Sequence, residues 1–200
     1  MGQPQKPIAA EQQILSLGRV LQSLREEDDV DVLIETTISY LKEQFDYRLI
    51  WIALYDRLNH ILFGQGGITP DRDMNFLRQR VVLSPGDLLE QVVIEQHPLG
   101  VADLQTEIRA AEWHKVATKF HIQGTIILPI RYKDRCLGLV LLGSERWGYL
   151  LTGETKARLM MVLGELGAVL YQNEMHKQQK QTRRSDEPLL ELVRKFTHSQ

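Results

Sequence analysis

Cysteine is almost missing from this chain. Among 200 residues only Cys136 carries a thiol, which excludes an intramolecular disulfide framework and any multi-cysteine zinc or iron–sulfur site within one chain. A reducing, cytoplasmic setting fits that usage. Long apolar runs are missing too. Stretches such as "GTIILPI" and "CLGLVLLG" fall far short of the ~20 residues that span a bilayer. The start, "MGQPQKPIAAEQQ", is polar where a signal peptide carries its apolar region. Gly2 precedes Gln-Pro-Gln-Lys, without the serine or threonine of a myristoylation signal. A surplus of one charge is also absent. The formal net charge is -2, so neither nucleic acid nor a membrane surface is an expected partner. These absences leave a soluble chain, expected in the cytoplasm, with enough length to bury one core.

What is present is a clear order of elements. Residues 9–26 read as a helix in which Ile14, Leu17, Leu21 and Leu24 recur at three-four spacing, a narrow apolar stripe. The acidic break "EEDDVD" ends it and supplies aspartates to cap the next helix, about 30–45. There Leu33, Ile34, Ile38, Leu41 and Phe45 form the broad face that a core-packed helix needs. "RLIWIALYD" carries branched and aromatic residues on both faces, the mark of a covered strand, and "HILFGQGG" is its partner. "FLRQRVVLS" is a third strand candidate, followed by a helix that Ser84 or Asp87 caps. "HPLGVADL" reads as a short strand and residues 108–120 as a helix. "GTIILPIRY" and "DRCLGLVLLG" form a hairpin across "KD".

The last long helix, about 152–178, places Leu159, Val162, Leu166, Val169 and Asn173 on one stripe. Beyond it the chain turns polar and basic, breaks at "SDEP" and recovers a short helix, "LLELVRKF". The order is that of an α+β fold. It suggests one mostly antiparallel sheet with helices on one face and a ligand-sized space on the other. Three segments follow: an N-terminal dimerisation or signalling helix over 1–27, a domain over 28–175, and a polar extension with a short helix over 176–200.

The stretch 28–175 resembles a GAF domain. "RLIWIALYD" is similar to that family's opening strand, and "VVLSPGDLLEQVVIEQHPLGVADL" to its central strand–helix–strand, with Gly86 in the turn and Asp103 after it. "FHIQGTIILPIRYKDRCLGLVLLGSERW" is similar to the closing hairpin. The resemblance implies a six-stranded antiparallel sheet flanked by helices, a pocket above the sheet, and dimers made through long N- and C-terminal helices. The phrasing is closest to GAF domains of phytochrome-like sensors and bacterial sensor histidine kinases. In the bilin-binding members a Cys-His pair starts the helix that runs into the last hairpin. Aligning Phe120, Ile122, Gly124 and Leu128-Pro129-Ile130 with that pattern puts Glu112 at the cysteine and Trp113 at the histidine, with His114 one position late. A carboxylate forms no thioether. A covalent bilin is therefore not expected, and the sequence names no other cofactor.

Weighed residue by residue, the chemistry is sparse. Trp51, Trp113 and Phe120 line an apolar pocket or form core, and His114 and His121 are the polar groups that would converge on it. Two histidines seven apart without a third ligand do not make a metal site. Cys136 has Arg135 beside it but opens an apolar strand, where a free thiol behaves as a small hydrophobe. Free methionine sulfoxide reductases share the fold, but their chemistry needs several cysteines. "KFTHSQ" resembles the phosphoacceptor box of histidine kinases around His198, without its acidic residue or Thr-Pro turn. The expected function is a non-catalytic sensory or regulatory domain in signal transduction. It binds a small molecule or partner and relays through a homodimer to an output domain or kinase. Two alternatives stand beside it: an input fragment of a sensor histidine kinase ending near its phosphoacceptor, and a ligand-free assembly module.

Overall fold

The computed structural model describes residues 6–110, 113–146 and 151–197, with side chains over 10–110, 113–146 and 151–180. Helix α1 spans Lys6–Arg25 and α2 Val30–Gln44. Asp29 starts α2, its carboxylate accepting from the backbone N–H groups of Asp31 and Val32 at 2.9 and 3.2 Å. That satisfies two donors the helix cannot pair itself. Strands β1 (Leu49–Asp56) and β2 (Ile61–Ile68) follow, then α3 (Met74–Leu77), β3 (Arg80–Val82), α4 (Leu88–Glu95) and β4 (Leu99–Val101). Asp87, rather than Ser84, caps α4. A 3-10 turn at Ile108–Ala110 precedes α5 (Trp113–Phe120), β5 (Gly124–Tyr132), β6 (Arg135–Ser144) and α6 (Gly153–Thr197).

The strands form a six-stranded sheet in the order β3-β2-β1-β6-β5-β4, with every neighbouring pair antiparallel. Alternation along β1 explains the two cores. Ile50 and Ile52 point to α1, α2 and α6, while Leu49, Trp51 and Ala53 point to α3, α4 and α5. The expected one-sided arrangement is thus corrected: helices cover both faces of the sheet. On the first face Leu159, Val162, Leu163, Leu166, Val169 and Leu170 of α6 are all buried. Burying each such side chain is worth about 1.5–3 kcal/mol. Gly167 lets α6 lie directly on β5, since a Cβ there would stand 2.5 Å from the Arg131 carbonyl oxygen.

Three expected elements differ in detail. Only Arg80–Val82 of "FLRQRVVLS" is strand. Asp73 instead caps α3, accepting from the Phe76 N–H at 3.0 Å, and Phe76 turns inward. The helix expected over 108–120 is divided into the 3-10 turn and α5. The break at "SDEP" does not occur: α6 continues to Thr197 through Pro188, whose missing N–H removes one rung of the helix without ending it.

Candidate functional site

The residues expected to line a pocket do come together, under α3 and α5. Trp51 leaves β1 toward this face and is 0% exposed, Phe120 ends α5 at 2% and Trp113 begins it at 7%. Trp51 and Trp113 have ring centroids 5.4 Å apart. Phe76 joins them edge-on, 5.9 Å from Trp113 and 5.1 Å from Phe120. The Trp51 Nε1–H donates to the Leu77 carbonyl at 3.2 Å, so its polar atom is satisfied inside the core. Gly64 makes room for that bond. A Cβ there would come within 2.8 Å of Trp51 Nε1 and 2.2 Å of the Leu77 oxygen. These rings pack on one another as one aromatic cluster.

The two histidines do not converge on those rings. His114 is half-buried at the margin, its Nε2 2.7 Å from the Glu107 carbonyl oxygen. His121 sits one residue past the end of α5 with φ 55° and is exposed. In that left-handed position it closes the helix, and the next residue's N–H (Ile122) returns to the Ala117 carbonyl at 2.8 Å. Among the described residues no group of three His, Cys, Asp or Glu side chains is placed to hold a metal. Glu112 and His198 lie outside the described residues. Outside the rings, Lys119 pairs with Asp73 and lies 3.5 Å from Asp71, tying α5 to the start of α3. Glu107 pairs with Arg109 at 2.8 Å, which holds its carboxyl down to about 2.

Cys136 is 4% exposed, and burial pushes its thiol above the ordinary range. A neutral, enclosed thiol is a poor nucleophile.

A concavity lies on the α6 side of the sheet. It is an open groove of about 740 Å3 between the end of the β1–β2 hairpin, the start of β6 and the Leu170–Gln178 part of α6. Val30, Leu54, Leu137 and Leu170 give it an apolar lining, and Arg57, Arg135 and Lys177 bring cations to it. The Arg135 guanidinium stacks over the Tyr171 ring at 5.4 Å and reaches Glu174 at only 3.4 Å. Its buried Nε has no acceptor among the described residues. Asp56 is occupied by its own turn, accepting from the Leu58 N–H at 2.9 Å and from the Asn59 side chain at 2.7 Å. Those bonds, the Asn59 amide foremost, hold its carboxyl below the usual range. No local pattern in the sequence joins positions 57, 135 and 177, so only the fold makes this site visible.

No protein-family model and no curated protein sequence matches the chain. Solved structures do. The GAF domain of a phosphoenolpyruvate-protein phosphotransferase from Coxiella burnetii superposes with a TM-score of 0.66 at 13% identity, covering 82% of this chain and 96% of that one. The phycocyanobilin-bound GAF domain of a cyanobacterial phytochrome gives 0.64 at 12% identity, over 82% and 96% of the two chains. A free methionine-R-sulfoxide reductase from Neisseria meningitidis, in complex with its substrate, gives 0.57 at 20% identity, over 82% and 89%. Sheet order, helices on both faces and these superpositions agree: the fold of this chain is GAF-like.

Proposed function

We propose that this chain is a non-catalytic sensory or regulatory domain that works as a homodimer and relays the state of its core through its terminal helices. Residues 28–175 are the sensing unit, and 1–27 and 176–200 are the signalling extensions. The observation that carries this reading is the course of α6. Its first half is built into the sheet's core and its second half continues as one helix to Thr197. A shift of the sheet against α6 is therefore passed along one continuous helix. Likeness to a phytochrome GAF domain supports a sensory role. The buried, neutral Cys136 gives no support to thiol chemistry of the reductase kind.

The dimer contact we infer is not the α6 stripe read from the sequence, because those leucines and valines are spent on the chain's own core. Asn173 is likewise engaged at home, its Nδ2 donating to the Asp28 carbonyl at 2.7 Å. The outward residues of α1 and α6 remain: Ile14 at 67% exposed, Leu15 at 53% and Met161 at 52%. The two helices pack side by side, so these side chains offer a partner copy apolar surface. The output domain or kinase that receives the signal is a partner in this reading, and the cytoplasm its setting. No helix of the described residues is long and apolar enough to cross a membrane.

A second reading, an assembly module without a ligand, is favoured by one observation: the aromatic rings of Trp51, Phe76, Trp113 and Phe120 pack against one another under α5. Native mass spectrometry of the chain purified from its source separates the two. Two chains carrying a retained small molecule support the sensor, and two chains alone support the module. A single chain without ligand contradicts both.

A further inference from the structure

We propose that the groove between the β1–β2 hairpin and α6 is a binding site for an organic monocarboxylate with an apolar body. Its occupancy does not depend on the sensory reading, because the groove's chemistry is complete in itself. The volume of about 740 Å3 lies within the range of small-molecule sites. Leu54, Leu137 and Leu170 line it with aliphatic surface, which suits an alkyl or ring body and not a sugar or a bare ion.

Charge selects the head group. Three cations, Arg57, Arg135 and Lys177, face two carboxylates, Asp56 and Glu174. The excess of one positive charge matches a monoanion, and the two acids disfavour a phosphate dianion. Hydrogen bonds hold the Asp56 carboxylate in its own turn, and its charge is already counted in that excess. Arg135 is the anchor. Its side chain is 25% exposed, with the guanidinium over the Tyr171 ring and Glu174 at a long 3.4 Å. A ligand carboxylate accepts from the guanidinium N–H groups that this one contact leaves over. Such a ligand would touch the hairpin and α6 together, linking the sheet to the helix that leaves the domain.

The test is isothermal titration calorimetry of the full chain with decanoate, decanol and acetate. Decanoate should saturate at one per chain, with decanol and acetate each at least about tenfold weaker. The double variant Arg57→Glu/Lys177→Glu changes two side chains with no ion pair among the described residues. It should lose at least about tenfold in decanoate affinity while its melting temperature holds. Lys42→Glu, on the exposed side of α2, should bind as wild type does. Absence of decanoate binding, equal binding of decanol or acetate, or undiminished binding by the double variant would each overturn the proposal. A second copy of the chain in the groove would appear as altered sedimentation of the double variant without decanoate binding, and that result would overturn it too.

Discussion

Phe120 meets Phe76 edge-on at 5.1 Å and is 2% exposed, so truncating it removes a ring from close packing. Phe120→Ala is expected to cost about 3–5 kcal/mol, read as a lower midpoint of denaturant unfolding with an unchanged slope. A loss below about 1 kcal/mol would mean that the ring borders open space. Glu107 supplies a pH-dependent test. The Arg109 side chain lowers its folded pKa from 4.5 to about 2. A depressed carboxyl pKa stabilises the fold above the ordinary value, and that contribution is lost as pH falls through the folded one. Glu107→Gln should cost ~0.2–1 kcal/mol at neutral pH, as solvent-screened pairs do. The gap to wild type should close between pH 4.5 and about 2. Residues of the aromatic core were legible in part. Trp51 sits on a strand that is apolar on both faces, and Trp113 and Phe120 share a short helix. Phe76 was hidden inside "FLRQRVVLS", which reads as one strand, whereas the Asp73 cap starts the short helix α3 there. His114 lies in the first turn of α5 and His121 just past its end, where the left-handed turn leaves it exposed.

At the scale of elements, α6 is the member whose role changes most between sequence and structure. Its three-four spacing is equally compatible with a coiled-coil seam and with a face packed on a sheet, and periodicity alone does not separate them. The fold decides for the sheet. Leu166 is fully buried there, so Leu166→Glu is expected to unfold the domain and not merely to separate two copies, which circular dichroism would register directly. Gly167 makes the same point from the other side. With a Cβ only 2.5 Å from the Arg131 oxygen, Gly167→Val should push α6 off β5 and cost about 1–3 kcal/mol in thermal or denaturant unfolding. A neutral result would show that α6 sits further from the sheet. The strands were legible because branched and aromatic residues cluster in them. The helices of the second face were harder to weigh, since α3 spans only Met74–Leu77 and α4 and α5 eight residues each. Elements so short owe their stability to tertiary packing and leave little periodicity to read.

For the whole molecule, the sequence carried the class, the strand sequence and the GAF likeness. The distribution of helices over both faces emerged only from three dimensions. So did the groove at Arg57, Arg135 and Lys177, whose members are separated by most of the chain. In the proposed assembly, the outward residues of α1 and α6 meet a second copy and carry the signal between chains. Sedimentation velocity of the full chain at about 50 µM, where micromolar affinities hold most chains together, tests it most directly, with Leu15→Glu/Met161→Glu as the comparison. Both substituted side chains are more than half exposed, so the variant should stay folded by circular dichroism. The account predicts a dimer for the wild type and a folded monomer for the variant. A wild-type monomer, or a variant that remains as dimeric as the wild type, would contradict it.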